Sequence, residues 1–191
     1  MNACLDEAGR GCIYGPVYSA AVLWNDEITH KLLKDSKKLS ENQRNIMYDF
    51  ILDHAIDYSI QSSTSQEIDQ LNILNATQLS MHRCLDSLHL DFDSIYVDGN
   101  FFKPYKHYTH FCIVGGDSII NGISAASILA KVSHDNNITN CVHLDPSLER
   151  YHLLSNKGYC TQQHSKAVQE FGKTLNHRIT FRLPFEKVCC L

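Results

Sequence analysis

Apolar positions recur at two spacings along the chain, and the spacing changes from one segment to the next. At the N-terminus, NACL reads as a short strand that ends on Asp6-Glu7. PVYSAAVLW (16–24) is an almost unbroken apolar run entered through Gly15-Pro16, the pattern of a buried strand. SENQRNIMYDFILDH (40–54) begins with a serine cap and places Ile46, Phe50 and Ile51 on one helical face. AIDYSIQSST (55–64) alternates as a strand does. SQEIDQLNILNATQLSMHRCLDSLH (65–89) predicts one long helix, capped by Ser65, with Ile68, Leu71, Leu74 and Met81 as its apolar stripe.

Two further strands, DSIYVDG (93–99) and HFCIVGGD (110–117), are each stopped by glycine. GISAASILAKVSHDNNI (122–138) predicts a helix whose small residues let it pack closely on a sheet. TQQHSKAVQEFG (161–172) predicts an amphipathic helix closed by Gly172. This alternation gives an α/β fold: a central mixed β-sheet flanked by helices, with a helical C-terminal extension. No repeat, low-complexity stretch or linker divides the 191 residues, so a single domain over 1–191 is expected.

Composition changes that picture little: 43% hydrophobic and 20% charged residues are ordinary for a globular protein. No apolar run approaches about 18 residues and no basic-then-apolar leader opens the chain, so neither a membrane span nor a secretory signal is expected. Eight Cys include no C-x-x-C pair. They read as free, mostly buried thiols in the cytoplasm or another reducing compartment, rather than as a disulfide framework or zinc site. Charge is more informative by its distribution. The net value is −4, yet residues 150–191 hold seven Lys and Arg against two Asp and Glu. A solvated basic face and a phosphate-contacting one both fit that segment.

The candidate chemistry lies in carboxylates that follow apolar runs: Asp6-Glu7 after NACL, Asp98 after SIYV, and Asp117 after HFCIV and two glycines. If those runs are neighbouring strands, the acids meet at one end of the sheet, where ligands bind in open α/β folds. Clustered carboxylates raise one another's pKa, and a divalent cation removes the conflict. Hard oxygen donors without Cys or His point to Mg²⁺ or Mn²⁺. Each acid alone could be a turn or cap residue; the three positions together favour a metal site. Gly9-Arg10-Gly11 is then a loop able to approach a ligand with its backbone N–H groups, although such a triplet alone is a weak signal.

These residues also resemble a known family. DEAGRG followed by GPV is similar to the signature of type 2 ribonuclease H, in particular ribonuclease HII of the bacterial type. DSKKLS (35–40), EIDQLNILNAT (67–77), VDGN (97–100), GGDSIINGISAASILAKVSHD (115–135), NKGYCT (156–161) and HRITF (177–181) follow in family order. The resemblance implies a ribonuclease H-like fold and an endonuclease that hydrolyses RNA in RNA–DNA hybrids and at single ribonucleotides in duplex DNA. It implies two-metal-ion hydrolysis giving 5′-phosphate and 3′-hydroxyl ends, with Asp6, Glu7, Asp98 and Asp117 as the metal-binding, catalytic acids. Gly9, Arg10 and Gly11 match the loop that reads the 2′-hydroxyl beside the scissile phosphate. Tyr159 matches the tyrosine that stacks under the following deoxyribose. The implied partners are nucleic acids, with no membrane, and the expected state is a monomer.

Four positions depart from the pattern: Gly115 stands where Lys is usual, Cys12 for Pro, Cys160 for Gly and His134 for Arg. Asp135 reads as a structural tether. Lys37, Lys38 and Asn72 read equally as nucleic-acid contacts or as exposed polar residues. No site role is assigned to any of the eleven His. Two rival readings fit the residues less well. Ribonuclease HIII carries an extra N-terminal domain, for which the motif at residue 4 leaves no room. A binding module without catalysis is disfavoured by the retention of all four acids.

Overall fold

A computed structural model describes residues 1–33 and 39–184. Five strands form one sheet in the order β3-β2-β1-β4-β5. They are β1 (Asn2–Ala8), β2 (Val17–Leu23), β3 (Asp57–Ser63), β4 (Ser94–Asp98) and β5 (Thr109–Ile113). β1, β2 and β3 pair antiparallel, whereas β1, β4 and β5 run parallel, so the sheet is mixed as the sequence predicts. The parallel register sets Leu5 beside Val97. One residue further on, Asp6 and Asp98 are level with each other at the same strand ends.

The two faces of β1 have different partners, as strand periodicity requires. Ala3 and Leu5 pack with Ile95 and Val97 under Met81 and Leu85 of α3 (Ile73–Asp86). Each fully buried aliphatic side chain here contributes about 1.5–3 kcal/mol. The opposite face lies against α4 (Asn121–Leu144), whose Ala125, Ala126 and Leu129 join Ala20 and Val22 of β2 and Met47 and Ile51 of α1 (Glu41–His54). The approach of α4 is close: a Cβ at Gly122 would lie 2.5 Å from Cys4 Sγ. Beyond α4, a 3₁₀ segment (Pro146–Tyr151), α5 (Leu153–Asn156) and α6 (Gln162–Phe171) form the helical C-terminal extension. A separate apolar cluster of Ile13, Tyr14, Ile138, Tyr151 and Val168 holds it to the sheet domain.

Several details differ from the sequence reading. The helix expected over 65–89 is two helices, α2 (Ser65–Leu71) and α3, broken at Asn72, where φ is 65°. Its cap is Thr64 rather than Ser65, because Thr64 has Glu67 three residues later to close a capping box. Leu71 and Leu74 of the expected stripe are exposed. In α1, capped by Ser40 as expected, Met47 is buried and Ile46 is not. α4 runs six residues past the expected end, to Leu144. β5 is an exposed edge strand. Among the described residues six cysteines are free; Cys4, Cys12 and Cys84 are buried, but Cys112 and Cys160 are exposed. Lys37 and Lys38 lie outside the described residues. Among the described residues no helix is long and apolar enough to cross a membrane.

Candidate active site

Asp6, Asp98 and Asp117 each offer one carboxylate oxygen to a group whose atoms all lie within 4.8 Å of one another. Three local devices bring them together. The parallel register aligns Asp6 with Asp98. The turn after β5 folds back on β4 through the Gly116 amide, which donates to Asp98 Oδ1 at 2.8 Å, and the Gly99 amide, which donates to the Ile113 carbonyl at 3.0 Å. Gly115, at φ 69°, supplies the left-handed step that lets a short 3₁₀ turn (Gly116–Ser118) carry Asp117 inward.

Asp6 is buried, and burial drives its carboxyl well above the usual range; Glu7 and Asp98 push it further. A hydrogen bond from Ser127 and the Glu7 amide, at 2.7 Å from Oδ1, oppose that shift only in part. Three converging oxygens, one on a buried and electrostatically disfavoured carboxylate, fit a hard divalent cation, which would reverse the penalty.

Glu7 is not in this set. One residue along β1, its side chain takes the other face, over a cavity of about 130 Å³ lined also by Thr77, Gln78 and Asp98. Its Oε1 accepts from Arg10 Nη1 at 3.2 Å. Asp135 is the tether that was expected, accepting from Lys131 Nζ at 2.8 Å and lying 3.0 Å from His134 Nδ1. Asn72 caps α3 through Asn75 N at 3.1 Å.

The glycine loop and Tyr159 face one another. Both line a cavity of about 220 Å³, together with Glu7, Ser127 and Lys131. Gly9 has φ 86°, and a Cβ there would lie 2.4 Å from His134 Cδ2, so the loop can take no side chain at that point. Gly11 is different. A Cβ would meet only the Tyr159 ring, at an ordinary 3.8 Å. Tyr159 keeps 39% of its surface exposed, and burial of the remainder pushes its phenol up to about 12. A larger cavity, about 480 Å³, lies at the opposite end of β1 beside Trp24 and Tyr96. Asp26 is its one acid, so it is no rival for the chemistry.

Sequence reasoning missed Arg178. Its guanidinium is fully buried and donates to three backbone carbonyls: Gly9 at 2.8 Å, Arg10 at 2.8 Å and Gly15 at 3.0 Å. HRITF contains this arginine, yet nothing in a basic, C-terminal motif signals that its partners are carbonyls near the N-terminus.

The ribonuclease HII family model matches residues 3–188. Ribonuclease HII of Porphyromonas gingivalis is 44% identical over 177 residues, covering 93% of this chain and 87% of that protein. The crystal structure of ribonuclease H2 from Pyrococcus horikoshii superposes with a TM-score of 0.77 at 25% identity, covering 95% of this chain and 93% of that one. A Bst-RNase HIII structure in complex with Mn²⁺ shares the fold at TM-score 0.72 and 17% identity, but this chain spans only 66% of it. A match over nearly the whole chain, with a relative at this identity, leaves one assignment: the chain belongs to the ribonuclease HII family.

Proposed function

We propose that this chain cleaves duplex DNA at single ribonucleotides, as well as RNA in RNA–DNA hybrids, with Asp6, Glu7, Asp98 and Asp117 holding two Mg²⁺ or Mn²⁺ ions. Membership of the family makes it a metal-dependent ribonuclease H; the substrate preference and the residue roles are the proposal. The observation that carries it is the placement of the Gly9–Gly11 loop and the Tyr159 ring on one cavity beside the carboxylates.

Each residue has a role its surroundings permit. Asp6, Asp98 and Asp117 supply the convergent oxygens, and Glu7 adds a fourth carboxylate from the loop cavity that it also lines. Bound ions would lower the pKa of the attacking water and stabilise charge on the phosphate, leaving a 5′-phosphate and a 3′-hydroxyl. The loop presents main-chain groups to a 2′-hydroxyl, the one group that separates RNA from DNA at a single position. Tyr159 offers a flat face to the next sugar, against which a further 2′-hydroxyl would be desolvated. One recognised 2′-hydroxyl followed by a deoxyribose is an RNA–DNA junction, and a lone ribonucleotide in duplex DNA presents it.

Tyr159→Ala tests this reading. Loss of a stacking face is worth roughly 1–3 kcal/mol, so cleavage at a lone ribonucleotide should fall about 5- to 150-fold. Cleavage along a hybrid, where acceptable sites are many, should fall less. Equal losses on both substrates would make Tyr159 structural, and a parental protein that ignores lone ribonucleotides would end the junction reading.

A further inference from the structure

The two halves of the cleft come from distant parts of the chain, and adjacent residues of the C-terminal segment hold both. Arg178 grips the glycine loop as described above. His177, fully buried beside it, begins a hydrogen-bond relay that ends on Tyr159. Its Nδ1 accepts from the Thr174 amide at 2.9 Å, so the proton of its neutral ring sits on Nε2. Nε2 lies 3.2 Å from His164 Nε2, which must then accept. His164 therefore carries its proton on Nδ1, and Nδ1 lies 2.9 Å from the Tyr159 carbonyl, which can only accept. Every group in the series has one permitted role, and the roles agree.

The Arg178 contacts have a directional consequence. No peptide bond in the described chain is cis. In a trans peptide the N–H points opposite to the C=O. With the Gly9 and Arg10 carbonyls turned inward to a buried guanidinium, the amides of Arg10 and Gly11 must turn outward, on two residues that are themselves exposed.

We propose that His177 and Arg178 are positioning residues that set the cleft in register, Arg178 by aiming the loop amides outward and His177 by fixing the Tyr159 backbone through His164. This rests on the junction reading above. It predicts that discrimination for a lone ribonucleotide depends on side chains that touch no substrate.

His164 offers the cleanest test, because two amide side chains can replace its nitrogens separately. His164→Asn places an amide where Nδ1 lies and keeps the bond to the Tyr159 carbonyl. His164→Gln places it where Nε2 lies, keeps the contact with His177 and loses Tyr159. The readout is the ratio of kcat/KM on a duplex with one ribonucleotide to kcat/KM on a uniform hybrid, with thermal stability recorded for each variant. The expected result is a ratio lower by roughly 3- to 10-fold for Gln, the worth of the hydrogen bond lost to Tyr159, and a smaller drop of about 2- to 3-fold for Asn, which keeps that bond but leaves it without His177 behind it. A parental ratio in either variant, or equal drops in both, would overturn the relay, since a merely structural histidine would lower both substrates together. A parental protein inactive on the lone ribonucleotide but active on the hybrid would instead remove the junction reading on which the relay depends.

Discussion

Arg178 shows at the scale of one residue what a burial pattern cannot disclose. A fully buried guanidinium would normally be sought beside a carboxylate. Here its donors go to the carbonyls of Gly9, Arg10 and Gly15, and its face lies 5.0 Å from the Phe181 ring. Burial without a paired acid pulls its pKa down to about 10, which leaves it charged at neutral pH. Arg178→Met would strand the Arg10 and Gly15 carbonyls and should cost about 2–4 kcal/mol; Arg178→Lys should recover only part, having no fork to span three acceptors. Urea denaturation measures both, and a Met variant as stable as the parent would show that the loop holds itself. The acids were legible in the sequence because a carboxylate after an apolar run is a local signal. Arg178, His164 and His177 were not, because their partners depend on which distant segments the fold brings alongside.

Elements were legible where pattern and cap agreed. Ser40 before α1 and Gly172 after α6 mark helix ends that the structure reproduces, and it adds Gln43 to a capping box with Ser40 and Thr161 as the cap of α6. The break between α2 and α3 was hidden because apolar spacing continues through it. Asn72 sits at φ 65° and ψ 163°, a region that nearly always demands glycine. Its side chain offsets part of that strain by capping Asn75 N. Strain of this kind costs about 1–3 kcal/mol, and replacing an Asn cap by Gly costs only a few tenths. Asn72→Gly should therefore stabilise the protein by about 1 kcal/mol, whereas Asn72→Ala, which keeps the strain and loses the cap, should destabilise it by about 1 kcal/mol. The order of urea midpoints, Gly above Asn above Ala, checks this; Ala above Asn would contradict the strain.

At the scale of the whole molecule, the parallel pairing of β1 with β4 and the C-terminal extension divide the work. The sheet gathers the acids and the extension orders the cleft beside them. The extension also makes stability depend on pH. Burial, and then His164 and Lys173, depress the His177 pKa to about 4, and burial lowers that of His164 as well. A histidine whose folded pKa lies below its unfolded value of about 6.5 contributes stability above pH 6.5 that is lost as pH falls toward 4. His177 alone should account for about 2 kcal/mol of loss between pH 7 and pH 5. Denaturation of the parent and His177→Asn at both pH values isolates it: the parental loss should exceed the variant's by that amount, and equal losses would contradict it. Asp6 acts in the opposite sense. Its raised carboxyl favours the folded state at low pH and opposes it at neutral pH until a cation is bound.

The measurement that bears most directly on the acid cluster is cleavage of an end-labelled duplex carrying one ribonucleotide, by the parent and by Asp98→Asn, with Mg²⁺ or Mn²⁺ and with EDTA. The expected result is a single cut beside the ribonucleotide leaving 3′-hydroxyl and 5′-phosphate ends, abolished by EDTA and slower by about 100-fold or more in Asp98→Asn, whose circular dichroism is unchanged. Cleavage by the parent that persists in EDTA, or an Asp98→Asn variant that cuts at the parental rate, would contradict the assignment of Asp6, Asp98 and Asp117 as the metal centre.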